Sequence, residues 1–265
     1  KSYSAWFGSE EGKKIAENVL LYQRDIGGWP KNIQMLNVLT EDEKAKLIAL
    51  KPSGKDCTID NRATTQEILF VSKMYAQTKE EKYKDSFLRA VNYLLSAQYA
   101  NGGWPQYFPL KKGYYTHITY NDNSMVDVLN VLREVANQTE YYSIKPPQET
   151  VDKAKIAFEK GIQCILKTQY KQKGVLTVWC AQHDEVTFAP ADARAYELAS
   201  LSGKESAKVT LLLMSIDNPS PEIKTAVKSA YDWFEKTKIT NLKEERIYDE
   251  SGKVIGKKMY PMEDV

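Results

Sequence analysis

Tryptophan recurs at a fixed interval along this chain, at Trp29, Trp104 and Trp179, and the first two sit in nearly identical settings. Gln23 leads to Gly27-Gly28-Trp29-Pro30, and Gln98 leads to Gly102-Gly103-Trp104-Pro105. An internal repeat restricts the fold more than any propensity does, because a unit that cannot bury its apolar face alone must stack on its copies. The third copy has diverged: it keeps Gln169-Tyr170, Gly174 and Trp179 but has no Gly-Gly-Trp-Pro.

Helical signals dominate between these turns. Ser9 opens a segment carrying Ile15, Val19 and Tyr22 on one face, and the Gly27-Gly28 pair supplies its stop. Thr40 with Glu43, and Thr78 with Glu81, have capping-box spacing and predict two further helix starts. A stripe of Tyr83, Phe87, Ala90, Val91 and Leu94 predicts a helix over about 79–99, and Val151, Ala154, Phe158, Ile162 and Ile165 predict another over 151–169. Ser220-Pro221 opens a last long helix through Ile223, Val227, Ala230 and Trp233. Each long amphipathic helix ends near a glutamine and a tight turn, so the tryptophans are expected to staple those turns to the core. Near the C-terminus, 245–249 and 254–257 flank Glu250-Ser251-Gly252-Lys253 as a short hairpin, while 259–265 shows no pattern of its own. Residues 1–265 therefore read as one domain, an all-α partial (α/α) toroid of three helical-hairpin repeats with a small C-terminal β-hairpin.

Composition limits the partners. The net charge is +2 with 27% charged residues, without the strongly basic face that nucleic acid needs. No apolar run approaches the roughly 18 residues of a membrane span. Three cysteines, Cys57, Cys164 and Cys180, lack Cys-x-x-Cys spacing and permit one disulfide at most, and two histidines make a zinc site a poor expectation. The first residue is Lys1 rather than Met, as in a processed or trimmed chain. These features predict a monomer that meets any anionic partner locally.

Shorter, more apolar helices are expected between the long ones, and their first residues carry the chemistry. Asp60-Asn61-Arg62-Ala63 leads into Ile68-Leu69, Asp122-Asn123-Ser124-Met125 into Val128-Leu129, and Asp192-Ala193-Arg194-Ala195 into Tyr196 and Leu198. Any one such Asp reads as an N-cap. Three at corresponding places would converge at one end of an inner ring, where carboxylates, helix N-termini and an arginine share a cleft. Paired carboxylates can hold a hard cation through oxygen or divide acid and base work.

Together with Lys31-Asn32, Ala63-Thr64, Gln106, Tyr120-Asn121, the run 178–184, the run 194–198 and the run 201–206, these motifs resemble pectate lyases of polysaccharide lyase family 10, in order from about residue 6 onward. The resemblance implies secretion, extracellular or periplasmic, and calcium-dependent cleavage of α-1,4-polygalacturonate by β-elimination to unsaturated oligogalacturonates. It implies Asp60 and Asp122 as calcium ligands, Arg194 as the Brønsted base, and Asn61 and Asn123 as contacts lining the cleft. Members of the family continue into a segment like Trp-Ala-Arg-Phe-Tyr-Glu followed by Arg-Asp-Gly, whose arginines bind uronates; neither motif occurs in these 265 residues. Arg62, Lys31 and Lys112 are candidate partners for substrate carboxylates, and taken singly they also fit a solvated surface. His183, beside Asp184-Glu185, is expected as a supporting contact or a hydrogen-bonded loop residue.

The residue types suit an elimination. Removing the C5 proton beside a uronate carboxylate places enolate-like charge on that carboxylate, which a calcium ion would neutralise. Arginine is an unusual base: with a pKa of about 12.5, only about one part in 300 is neutral at pH 10, so alkaline activity is expected. As an alternative, Arg194 is simply paired with Asp192 or Glu197. Two rival functions are an inactive, truncated lyase-like protein that binds polyuronate, and an inverting glycoside hydrolase on the same toroid, with carboxyls about 6.5–9.5 Å apart and no calcium. A terpenoid cyclase would want an Asp-rich box, which is not evident here.

Overall fold

The computed structural model describes residues 3–139 and 142–262. After a single turn, α1 (Tyr3–Trp6), come α2 (Glu10–Tyr22), a surface helix α3 (Glu41–Leu50), α4 (Thr65–Thr78), α5 (Glu81–Ala97), α6 (Ser124–Ala136), α7 (Gln148–Thr168), α8 (Gly203–Met214) and α9 (Pro221–Thr237). Helices α4, α6 and α8 touch in succession as an inner layer, while α5, α7 and α9 back them from outside, each packed on the inner helix that precedes it. This is the expected helical toroid. The outer helices bury one stripe: Tyr83, Phe87, Ala90, Val91 and Leu94 of α5 are buried. The inner helices are enclosed on more sides, and α6 buries Met125, Val126, Val128, Leu129, Val131, Leu132 and Val135.

One glutamine per repeat joins each unit to the next. The Gln23 side-chain amide donates to Gly27 O at 2.9 Å and to Ser86 O of α5 at 2.9 Å. Gln98 donates to Gly102 O at 3.0 Å and to Ala157 O of α7 at 2.8 Å, and Gln169 to Thr177 O at 2.8 Å and Ala226 O of α9 at 2.9 Å. The three tryptophans are fully buried, and their indole N–H groups donate to Val19 O, Leu94 O and Ile165 O at 2.7, 2.8 and 2.8 Å. The first two turns need glycine for two reasons. Gly27 and Gly102 have φ of +103° and +95°, and a Cβ there would lie 2.1 Å from Arg89 O and Lys160 O of the next outer helix.

Strands are few. β1 (Ile118–Thr119) pairs antiparallel with β4 (Gln182–His183), tying the second repeat to the third, and β2 (Lys171–Gln172) pairs with β3 (Val175–Leu176) in the third turn. The C-terminal hairpin of β5 (Leu242–Tyr248) and β6 (Val254–Pro261) is longer than expected. It takes in 259–261, where no pattern was legible, because Met259 and Tyr260 find backbone partners in Glu244 and Lys243.

Two other expectations are corrected. Thr78 does not cap α5: its hydroxyl donates back to Met74 O at 2.9 Å, closing α4, and Glu80 is the N-cap of α5. The Thr40–Glu43 capping box forms as expected. The inner helix of the third repeat does not start near Tyr196; residues 191–202 form an irregular loop and α8 starts at Gly203. All three cysteines are free and buried.

Candidate active site

Each buried tryptophan fixes the strand-like segment that runs into an inner helix. Trp29 O accepts from Thr58 N, Trp104 O from Thr119 N and Trp179 O from Ser202 N, at 3.1, 3.1 and 2.9 Å. These bonds register the repeats. Two residues beyond them stand Asp60, Asn121 and Lys204. The turns Asp60–Arg62 and Asn121–Asn123 match in backbone, with their central residues Asn61 and Asp122 both left-handed, φ of 51° and 50°. Asp122 therefore corresponds to Asn61 and not to Asp60, and the third counterpart lies at 202–205 and not at Asp192. Loops of different length between each tryptophan and its turn conceal this register in the sequence.

The three turns and the loop 180–202 surround a polar cleft of about 830 Å3, lined among others by Lys31, Asp60, Asn61, Tyr114, Asp122, Arg194, Glu197 and Glu205. Asp60 is buried, 3% exposed, and its Oδ2 accepts from Lys31 Nζ. Its backbone N–H donates to Thr58 Oγ1 at 3.1 Å, while its Oδ1 is buried without a hydrogen-bond partner. Asp122 is more open. Lys204 Nζ donates to its Oδ1 at 2.9 Å, Asn121 Nδ2 to its Oδ2 at 3.0 Å, and its N–H donates to Glu205 Oε1 at 3.3 Å. The hydrogen bond to Asp122, with the charge of that carboxylate, raises the Lys204 pKa. Burial works against the Lys31 ammonium, but its hydrogen bond and attraction to Asp60 outweigh this and raise its pKa. A buried carboxylate oxygen without a donor suits a cation, and Asp60 and Asp122, which line the same cleft, offer hard oxygen ligands of the kind calcium takes.

Arg194 lies across this cleft, exposed. Its Nε donates to Glu197 Oε2 at 2.8 Å and its terminal nitrogen to Glu197 Oε1, a bidentate pair. The hydrogen bonds to Glu197 raise the Arg194 pKa above its ordinary value and lower that of Glu197. Asp192 instead accepts from Ala199 N at 2.6 Å.

Five of the nine residues singled out from sequence thus meet in the cleft: Lys31, Asp60, Asn61, Asp122 and Arg194. The other four lie elsewhere. His183 is fully buried beneath the floor, accepting from Cys180 N at 3.1 Å, with its Nδ1 3.0 Å from Phe188 O; burial drives its pKa down to about 4. Arg62 lines a separate groove of about 320 Å3 between α4 and α6, with Asp127 and Arg133. Asn123 has its Oδ1 buried without a partner and is absent from the cleft wall. Lys112 is exposed on the loop 109–113, away from the lining. The stretch 183–185 also divides: Asp184 and Glu185 face His117, with ligand atoms all within 4.8 Å, and Glu185 Oε2 lies 3.0 Å from His117 Nδ1. Glu205, Lys204 and Tyr114 were not singled out. A signal existed for the first, since Ser202-x-x-Glu205 has capping-box spacing; the Ser202 hydroxyl does donate to Glu205 Oε2.

The profile of the pectic acid lyase family matches residues 23–263. The chain belongs to the pectic acid lyase family. A family 10 polysaccharide lyase from Cellvibrio cellulosa is 36% identical, with 98% of this chain and 77% of that one aligned at a TM-score of 0.76. A mutant of that lyase in complex with trigalacturonic acid is 35% identical over 99% of this chain and 81% of that one, at a TM-score of 0.74. No curated protein matches this sequence. As a pectate lyase, the enzyme is not the glycoside hydrolase that paired carboxylates on a toroid also allow.

Proposed function

We propose that this pectate lyase cleaves α-1,4-polygalacturonate in the polar cleft by calcium-assisted β-elimination, releasing unsaturated oligogalacturonates, with Arg194 as the base. The observation that carries this reading is the buried, partnerless Oδ1 of Asp60 in a cleft shared with Asp122 and Arg194. The complex of the related lyase with trigalacturonic acid supports the substrate class. The reading includes secretion, since an enzyme meets a polymer of this kind outside the cell.

Asp60 and Asp122 would hold the calcium ion. When bound, it supplies positive charge beside the substrate carboxylate, which makes the adjacent C5 proton more acidic. Arg194 takes that proton at a guanidine nitrogen, the C5–H electron pair becomes the C4–C5 double bond, and the C4–O bond breaks with its electrons leaving on oxygen. The leaving oxygen is then protonated from water. Lys31 and Lys204, paired with Asp60 and Asp122, offset the negative charge of those carboxylates and keep the cleft from repelling a polyanion. The Glu197 pair holds Arg194 in place but stabilises its charged form, so turnover should rise with pH far into the alkaline range.

The test is a calcium titration of turnover on wild type and on Asp60→Ala. The expected outcome is saturable calcium dependence in wild type, and in the variant a titration shifted to much higher calcium or no turnover. Full activity in the variant with unchanged calcium dependence would remove Asp60 from the site. Tight oligogalacturonate binding by wild type with no turnover at any calcium concentration would favour the inactive binder.

A further inference from the structure

Beside the cleft, the loop that follows Trp104 gathers Tyr107, Tyr114 and Tyr115. The rings of Tyr114 and Tyr115 lie 4.1 Å apart, tilted by 36°, and Tyr107 meets Tyr115 edge-on at 5.3 Å. Lys111 Nζ sits 4.2 Å from the Tyr115 ring centroid and 4.8 Å from that of Tyr107. The group is continuous with the cleft at two points: Tyr114 lines it, and Lys31, which also lines it, lies 5.9 Å from the Tyr107 ring.

Lys111 differs from the cations of the cleft. Lys31, Lys204 and Arg194 each hold a carboxylate, Asp60, Asp122 and Glu197. Among the described residues, Lys111 has no carboxylate within ion-pair distance and rests on aromatic faces, with a hydrogen bond to the Tyr115 hydroxyl. A cation left unneutralised on an aromatic platform is suited to a ligand carrying both an apolar face and a negative charge. The hydrogen bond from Tyr114, together with the charges of Lys111 and Lys31, also lowers the Tyr115 pKa, as expected where the local potential is positive.

We propose that Tyr114, Tyr115 and Lys111, backed by the buried Tyr107, form a secondary polyuronate subsite that holds uronate units of a long chain beyond those in the cleft. This rests on the polyuronate reading above. A pyranose ring offers a C–H face to the half-buried Tyr114 and Tyr115 while its carboxylate reaches the exposed Lys111, so the platform senses both chain length and free acid. Trimers seated in the cleft do not need it; polymers do. It gives the enzyme grip on long, unesterified stretches.

Titration calorimetry in an Arg194→Ala background with calcium present reads binding without turnover. Lys111→Ala is expected to weaken hexagalacturonate about fivefold, in the range of one partly exposed charge contact, with trigalacturonate unchanged and Lys111→Arg largely restoring the loss. Equal weakening of both oligomers, or no weakening of the hexamer, would overturn the platform. A background protein that binds neither oligomer would overturn the polyuronate reading itself, and the platform with it. Because Lys111 is exposed, circular dichroism of the variant should match that of its parent.

Discussion

Arg194 is subject to two opposed requirements. A base must be neutral for part of the time, yet the bidentate contact with Glu197 favours the charged guanidinium and raises its pKa. Glu197→Gln removes that negative charge, lowers the Arg194 pKa and increases the neutral fraction at any given pH. The rising limb of a kcat/KM profile is therefore expected to move to lower pH in this variant, and an unmoved limb would argue against Arg194 as the base. Asp122→Ala is expected to lose at least about a hundredfold in kcat/KM with unchanged circular dichroism; wild-type activity would exclude Asp122. His183 belongs to stability. Its folded pKa of about 4 lies below the ordinary value of 6.5, so the unfolded chain binds the extra proton between these values. Stability from this group is complete above pH 6.5 and declines as the pH falls toward 4, by up to about 3 kcal/mol. Denaturant unfolding across that range checks the slope, and a His183→Gln variant should lose it. The residue types needed for the chemistry were legible in the sequence. Side-chain direction was not: left-handed backbone at Asn61, Arg62, Asp122 and Asn123 decides which neighbour faces the cleft, and adjacent residues end up in different grooves.

At the scale of elements, the Gln–turn–Trp unit fixes each repeat to its successor. Gly102→Ala must bring a Cβ to 2.1 Å from Lys160 O and also hold a left-handed φ, and should cost about 3 kcal/mol or more. Gly174→Ala is the control, since φ there is +83° with no atom within 4 Å, and only the backbone penalty of about 1 kcal/mol applies. Equal losses from the two in urea unfolding would mean that the turn does not press on α7 as described. Long outer helices were legible from their stripes, because each buries one face. The start of α8 was not. Asp192 resembles the other helix starts in sequence, but its carboxylate is used within the loop, and α8 starts eleven residues on at Gly203, with Ser202 at the N-cap and its hydroxyl on Glu205.

Across the whole molecule, the first two repeats share a backbone turn while the third enters its inner helix directly, and the places two residues beyond the tryptophan carbonyl bonds carry different side chains, Asp60, Asn121 and Lys204, so a repeated scaffold produces an asymmetric cleft. This is why repetition announced the toroid while the cleft's composition needed the register that only the tryptophan carbonyl bonds reveal. The cleft is lined by Asp60 and Asp122 together with Arg194, and the proposal divides calcium binding and proton transfer between them. The most direct test of this division is ultraviolet absorbance of the unsaturated uronate during reaction on polygalacturonate at alkaline pH, with calcium and then with a chelator. A rise that depends on calcium and stops on chelation is predicted. A folded protein that gives no rise with calcium, or the same rise after chelation, would contradict the account.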